Sequence, residues 1–145
     1  MVNELRAVVA ELGGGAVFAR MPRTEGDLRE AIREGLPQTA VTELMQSAGL
    51  TLKELAASLD LSPRSLQRRR SQGRLASHES DRLFRLARIV ALAKRHLGDE
   101  ERASRWLKRP NRSLGGVAPL ELIDTELGAR TVENALGRIA YGGIS

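Results

Sequence analysis

An all-α fold is expected: an N-terminal helix-turn-helix bundle followed by a helical C-terminal region. Apolar residues make up 41% of the 145 residues, but aromatics only 3%. The core must therefore come from Leu, Val, Ile and Ala, which suits helices better than a sandwich. Apolar positions recur at helical spacing and no segment shows strand alternation. Gly, Pro and N-capping residues separate these runs at short intervals. The length fits one domain, or at most two small ones.

The elements follow in order. Leu5, Val8, Val9 and Leu12 have helical spacing, and Gly13-Gly14-Gly15 breaks the run. The triplet is not a phosphate loop, because no Lys-Ser or Lys-Thr pair follows it. Thr24 opens a helix with Asp27 three residues on, a pair resembling a capping box; Leu28, Ala31 and Ile32 form its face and Gly35 ends it. Another helix begins at Pro37, with Ala40, Val41, Leu44, Met45 and Ala48 as its stripe and Gly49 as its stop. Thr51-Leu52-Lys53-Glu54 is a capping box leading into Leu55, Ala56 and Leu59. Asp60-Leu61 turns the chain, and Ser62 at N-cap with Pro63 at N1 starts the next helix, which runs to about Ser71. The longest helix is expected over about Glu79 to Leu97. Its broad face of Leu83, Leu86, Val90, Ala93 and Leu97, widened by Phe84, Ala87 and Ala91, calls for two neighbours. Asp99 caps a shorter helix to Leu107, and Pro110-Asn111 ends it. After the Leu114-Gly115-Gly116 loop, Pro119 to Ile123 gives a turn or two of helix. A last helix from about Thr125 carries Val132, Leu136 and Ile139.

Residues 51–71 have the two-helix spacing of a helix-turn-helix. Leu55, Leu59, Leu61 and Leu66 meet between crossed helices, and small Ala56 permits their close approach. Asp60 stands in the turn, where it tolerates left-handed backbone better than most residues. Between Leu61 and Arg74 there are five arginines and no acid. Arg64, Gln67, Arg68 and Ser71 share one face opposite Leu66. Arg and Gln are the side chains that reach guanine and adenine edges bidentately in the major groove. Arg64, Gln67 and Arg68 are therefore the expected base contacts, and Thr51, Arg69, Arg70 and Arg74 the expected phosphate contacts. Ser62 and Ser65 stand near the helix start, where backbone N–H groups can meet phosphate. The net charge of +5 agrees, as does the basic inventory, in which only Lys53, Lys94 and Lys108 are not arginine. A second stripe, Arg82, Arg85 and Arg88, reads instead as an exposed face paired with nearby acids.

The absence of Cys removes disulfides, thiolate zinc sites and cysteine nucleophiles, and suits a reducing compartment. Two histidines 18 residues apart and scattered Ser and Asp give no nucleophile–base–orienter pattern, so no catalysis, cofactor or metal is expected. No span approaches a membrane helix, and the start lacks the pattern of a signal peptide. A cytoplasmic protein with no membrane association is expected.

With these residues in view, the chain resembles Xre/MbcA/ParS-type antitoxins of bacterial toxin–antitoxin pairs nearly end to end. Gly35-Leu36-Pro37, the run Leu61 to Arg69, Glu79 to Leu83 and Leu86-Ala87-Arg88 take part in the match. More specific are Trp106-Leu107, Pro110-Asn111, Leu114-Gly115-Gly116, Pro119 to Leu122, Asp124-Thr125-Glu126 with Gly128, and Val132 to Gly142. The resemblance implies an Xre-like DNA-binding part and a C-terminal part that binds a RES-domain, NAD-consuming toxin and obstructs its active site. It also implies a homodimer that represses its own operon at an inverted repeat.

The expected division is 1–23 as a partly ordered segment, 24–78 as the Xre-like helix-turn-helix part, and 79–145 as the toxin-binding and dimerisation part. Gly128 marks a close backbone approach, within the chain or from a partner. Arg130, Glu133, Arg138, Tyr141, Gly142, Ile144 and Ser145 are the expected toxin-facing residues. The alternatives are a stand-alone dimeric transcriptional regulator without a toxin, and an adaptor whose Arg-rich helix binds an acidic protein.

Overall fold

The computed structural model describes residues 2–140, and its helices follow the punctuation of the sequence. They are α1 (Val2–Glu11), α2 (Glu25–Glu34), α3 (Gln38–Ala48), α4 (Leu52–Ser58), α5 (Pro63–Gln72), α6 (Ser77–Leu97), α7 (Glu100–Lys108), α8 (Pro119–Leu122) and α9 (Glu126–Ala140). Single 3-10 turns lie at Gly14–Ala16 and Arg112–Leu114. Among the described residues there is no sheet, only two isolated bridges, Pro37 with Arg74 and Asn111 with Val117.

Helix α6 is the axis. It packs on α1, α2, α7 and α9, as its broad apolar face requires. Leu83, Leu86, Ala87, Ile89, Val90 and Ala93 along it are all fully buried. One hydrophobic cluster runs from Val8, Val9 and Leu12 of α1 through Leu55 and Leu66 to Val132 and Leu136 of α9. The expected cut at 78/79 thus falls in the first turn of a helix that serves both halves. The segment 2–23 contributes to the same core, because α1 buries Val8 and Val9 and the chain after it buries Leu12 and Phe18.

The caps explain the boundaries. Thr24 Oγ1 accepts the Asp27 N–H at 3.0 Å, but the Asp27 carboxylate reaches past Thr24 to the Arg23 N–H. That bond holds the Asp27 carboxyl below its ordinary value. Pro37 is the N-cap of α3 rather than its first helical residue. Thr51 and Glu54 close the capping box in both directions. Helix α6 starts at Ser77, two residues before the expected Glu79, because Glu79 accepts the Ala76 N–H at 2.8 Å as an N3 residue.

Two glycines are required by close approach. A Cβ on Gly35 (φ 96°) would stand 2.3 Å from the Leu75 carbonyl oxygen, where the α5–α6 connection pairs with the α2–α3 connection. A Cβ on Gly128 would stand 1.8 Å from the Leu122 carbonyl oxygen. The approach expected at Gly128 is therefore made within the chain, where the end of α8 lies against the first turn of α9.

Candidate nucleic-acid interface and partner surface

Helices α4 and α5 form the expected helix-turn-helix. Leu55, Ala56, Leu59 and Leu66 are fully buried between them and the rest of the core. Asp60 takes φ 56°, the only non-glycine residue with positive φ among those described. The chain reverses there through the Leu61 N–H bond to the Ala56 carbonyl at 2.9 Å. Ser62 caps α5 by accepting the Ser65 N–H at 3.0 Å, and Pro63 fills N1. Leu66 points inward, which leaves Arg64, Gln67, Arg68 and Ser71 together on the exposed face. The guanidinium groups of Arg64 and Arg68 make no hydrogen bond or salt bridge to any described residue, so both are available to an external acceptor.

The other arginines of this segment have duties inside the fold. Arg69 Nε donates to both carboxylate oxygens of Glu79, at 3.1 and 3.0 Å, and Glu79 is 1% exposed. This pair ties the last turn of α5 to the first turn of α6. Arg70 bonds Thr42 Oγ1 at 2.9 Å and Gln67 Oε1 at 3.3 Å. Arg74 Nη1 donates to the Gly35 carbonyl at 2.7 Å. Three of the residues expected at phosphate therefore also hold the reading helix to α3, α6 and the α2–α3 connection. Thr51 stays at the exposed N-terminus of α4, with its hydroxyl in the capping box.

The second arginine stripe is not an exposed face. Arg82 Nη1 bonds the Leu59 carbonyl at 3.1 Å, holding α6 to the end of α4. Arg85 pairs with Glu126 at 3.2 Å, and Arg88 with Glu126 at 3.3 Å and Glu133 at 2.7 Å. All three arginines are half-buried. The acids of Arg85 and Arg88 come from α9, some forty residues further on, and these two form the polar seam between α6 and α9.

That seam changes the reading of the C-terminal surface. Glu133, expected to face a partner, is held by Arg88, whereas Arg130 and Arg138 are exposed. Tyr141, Gly142, Ile144 and Ser145 lie outside the described residues. Leu127 was missed: it is 75% exposed, on the solvent face of α9 with Arg130, Thr131, Asn134 and Arg138. Its offset from the buried Ala129–Val132–Leu136 stripe was a readable signal. Before α9, the Asn111 side chain accepts the Ser113 N–H at 3.0 Å, and the Asn111 and Val117 backbones pair across the loop. The asparagine and the two glycines, Gly115 and Gly116, thus shape a closed turn; both glycines have positive φ.

The comparisons with known proteins cover both halves. Residues 27–88 match the antitoxin Xre-like helix-turn-helix domain, and residues 91–142 match the antitoxin Xre/MbcA/ParS C-terminal toxin-binding domain. The chain belongs to the Xre/MbcA/ParS antitoxin family. The two matches meet inside α6, the helix that carries the shared core. Antitoxin Xre of Photorhabdus laumondii is 36% identical over 120 residues, covering 81% of each chain. Antitoxin Xre of Pseudomonas putida is 33% identical over 116 residues, 80% of this chain and 72% of that one. Among solved structures, the MbcT–MbcA toxin–antitoxin complex of M. tuberculosis has a similar chain. Its TM-score is 0.58 with 27% identity, over 74% of this chain and 96% of that one. Among the described residues no helix is long and apolar enough to cross a membrane, and no group of three acidic, His or Cys side chains is placed to hold a metal.

Proposed function

We propose that this protein is the antitoxin of a two-gene toxin–antitoxin pair. Its C-terminal region binds a RES-domain, NAD-consuming toxin and covers the toxin's active site. Its helix-turn-helix represses the operon that encodes both, as a homodimer on an inverted repeat. The observation that carries this reading is the joining of two matched parts through α6: an arginine face with no side-chain partner among the described residues, and a region of the toxin-binding family. Arg64, Gln67 and Arg68 read base edges, while Ser62, Ser65 and the N-terminus of α4 at Thr51 meet phosphate. Arg69, Arg70 and Arg74 contribute positive potential and fix the angle of α5. On the toxin side, Leu127, Arg130 and Arg138 of α9 and the residues from Tyr141 onward form the contact. An exposed leucine among arginines is the composition of an interface anchor. Homodimerisation sets two α5 helices about one DNA turn apart.

The test is growth and cellular NAD in bacteria that express the neighbouring toxin gene with and without this chain. Growth restored and NAD preserved by the chain is the expected result. Toxicity and NAD loss that persist at equal expression would overturn the antitoxin reading and leave a stand-alone regulator.

A further inference from the structure

Helix α7, the end of α6 and the loop after α7 build a cationic hollow that the sequence did not single out. Arg102, Arg105, Arg109 and Arg112 surround a shallow cavity of about 520 Å³ with Leu97 and Trp106 also in its wall. Arg102 and Arg105 are held only loosely, by Asp99 at 3.7 Å and Glu101 at 3.8 Å, in exposed pairs of little strength. Arg109 and Arg112 are exposed and pair with no acid among the described residues. Four guanidinium groups beside an indole make a surface for carboxylates or phosphates, because the planar fork binds both bidentately.

Position decides between these acceptors. Lys108 lies on the flank of α7 that touches the helix-turn-helix, bonded to the Gly49 carbonyl and to Glu54. By the 100° step per residue, Trp106 and Arg102 lie about 160° and 120° round the helix from Lys108, and Arg105 about 60° from it. The hollow therefore centres on the side of α7 away from its Lys108 contact with the helix-turn-helix. It lies within the region matched to the toxin-binding domain. The exposed, loosely held side chains also suit a broad protein surface better than a small anion, which would have to immobilise all four.

We infer that this hollow is a second toxin contact, one that receives a carboxylate-rich segment of the toxin. It rests on the antitoxin reading and adds a polar site to the contact assigned to α9. The test compares toxin affinity of the purified full-length chain with that of Arg109→Glu/Arg112→Glu, across a salt series and beside operator affinity and melting temperature. The double reversal should weaken the toxin complex on the order of 100-fold, since like charges face each other across the contact. It should flatten the salt dependence and leave operator affinity and melting unchanged. Arg102→Glu alone, at an exposed position, should give a smaller loss in the same direction. Toxin affinity equal to that of the unaltered chain in both variants would overturn the inference while sparing the antitoxin reading. Loss of operator affinity with the toxin still held would assign the hollow to nucleic acid instead. If the unaltered chain itself holds no toxin, the antitoxin reading fails, and this surface fails with it.

Discussion

Helices α5 and α6 each carry an arginine stripe, and the two stripes do opposite things. On α5, Arg64 and Arg68 are exposed and have no side-chain partner among the described residues. On α6, Arg82, Arg85 and Arg88 are half-buried and bonded to a carbonyl of α4 and to Glu126 and Glu133 of α9. Local sequence cannot separate these cases, because both stripes recur at helical spacing. The acids that pair with Arg85 and Arg88 arrive from an element folded over them. The α6 stripe is a seam because the fold brings acids to Arg85 and Arg88, whereas the α5 face stays open because none among the described residues reaches Arg64 or Arg68.

The largest effect expected of that contrast is at Arg69, on the bonded flank of α5. Arg69→Ala leaves the Glu79 carboxylate, 1% exposed, without its cation. The cost should be about 3–5 kcal/mol of stability, as for a buried pair broken on one side. Denaturant unfolding measures it, and a loss below about 1 kcal/mol would show that the Ala76 N–H alone satisfies Glu79. Next is Arg68→Ala on the free flank. It should cost about 1–3 kcal/mol at the operator and relax sequence preference at one position, with stability unchanged. Gel-shift titration against operator and scrambled DNA checks it; equal affinities would remove Arg68 from the base-reading set. Arg88→Ala, on the seam, should do the reverse, lowering stability by about 1 kcal/mol and leaving operator affinity alone. Unfolding and gel-shift measurements on that variant would blur the contrast if operator affinity fell.

The smallest effect expected is at Glu54, where α4 meets α7. Burial raises its pKa, but the Thr51 N–H bond and Lys108 outweigh burial and hold it below its ordinary 4.5. A carboxyl lowered by folding contributes stability that is complete above about pH 4.5 and is lost as pH falls through the lower folded value. Melting temperature followed from pH 6 to pH 3 should therefore drop more steeply for the natural chain than for Glu54→Gln. Parallel curves would remove Glu54 from the acid response.

Most of the fold was legible because its signals are local. Thr51 with Glu54, Ser62 with Pro63, Asp99 and the helix-ending glycines act within four residues, and each stands at the helix end expected of it. Asp60 takes the left-handed turn that its side chain tolerates. What was not legible is pairing across the chain. Nothing near Glu79 says that it meets Arg69, and nothing near Glu133 says that Arg88 holds it. The place of α1 in the core was also hidden, since Val8, Val9 and Leu12 alone do not reveal what they pack against. The same packing changes how the toxin side is best tested. Deleting α9 would strip Val132 and Leu136 from the shared core, so changes at its exposed Leu127, Arg130 and Arg138 are the cleaner probes.

The most direct test of the central claim is co-expression with the tagged product of the neighbouring gene, followed by affinity purification and mass determination. A stable complex containing this chain is predicted, with a mass that gives the stoichiometry. Recovery of this chain only as a free dimer that still binds its own promoter would contradict the antitoxin reading.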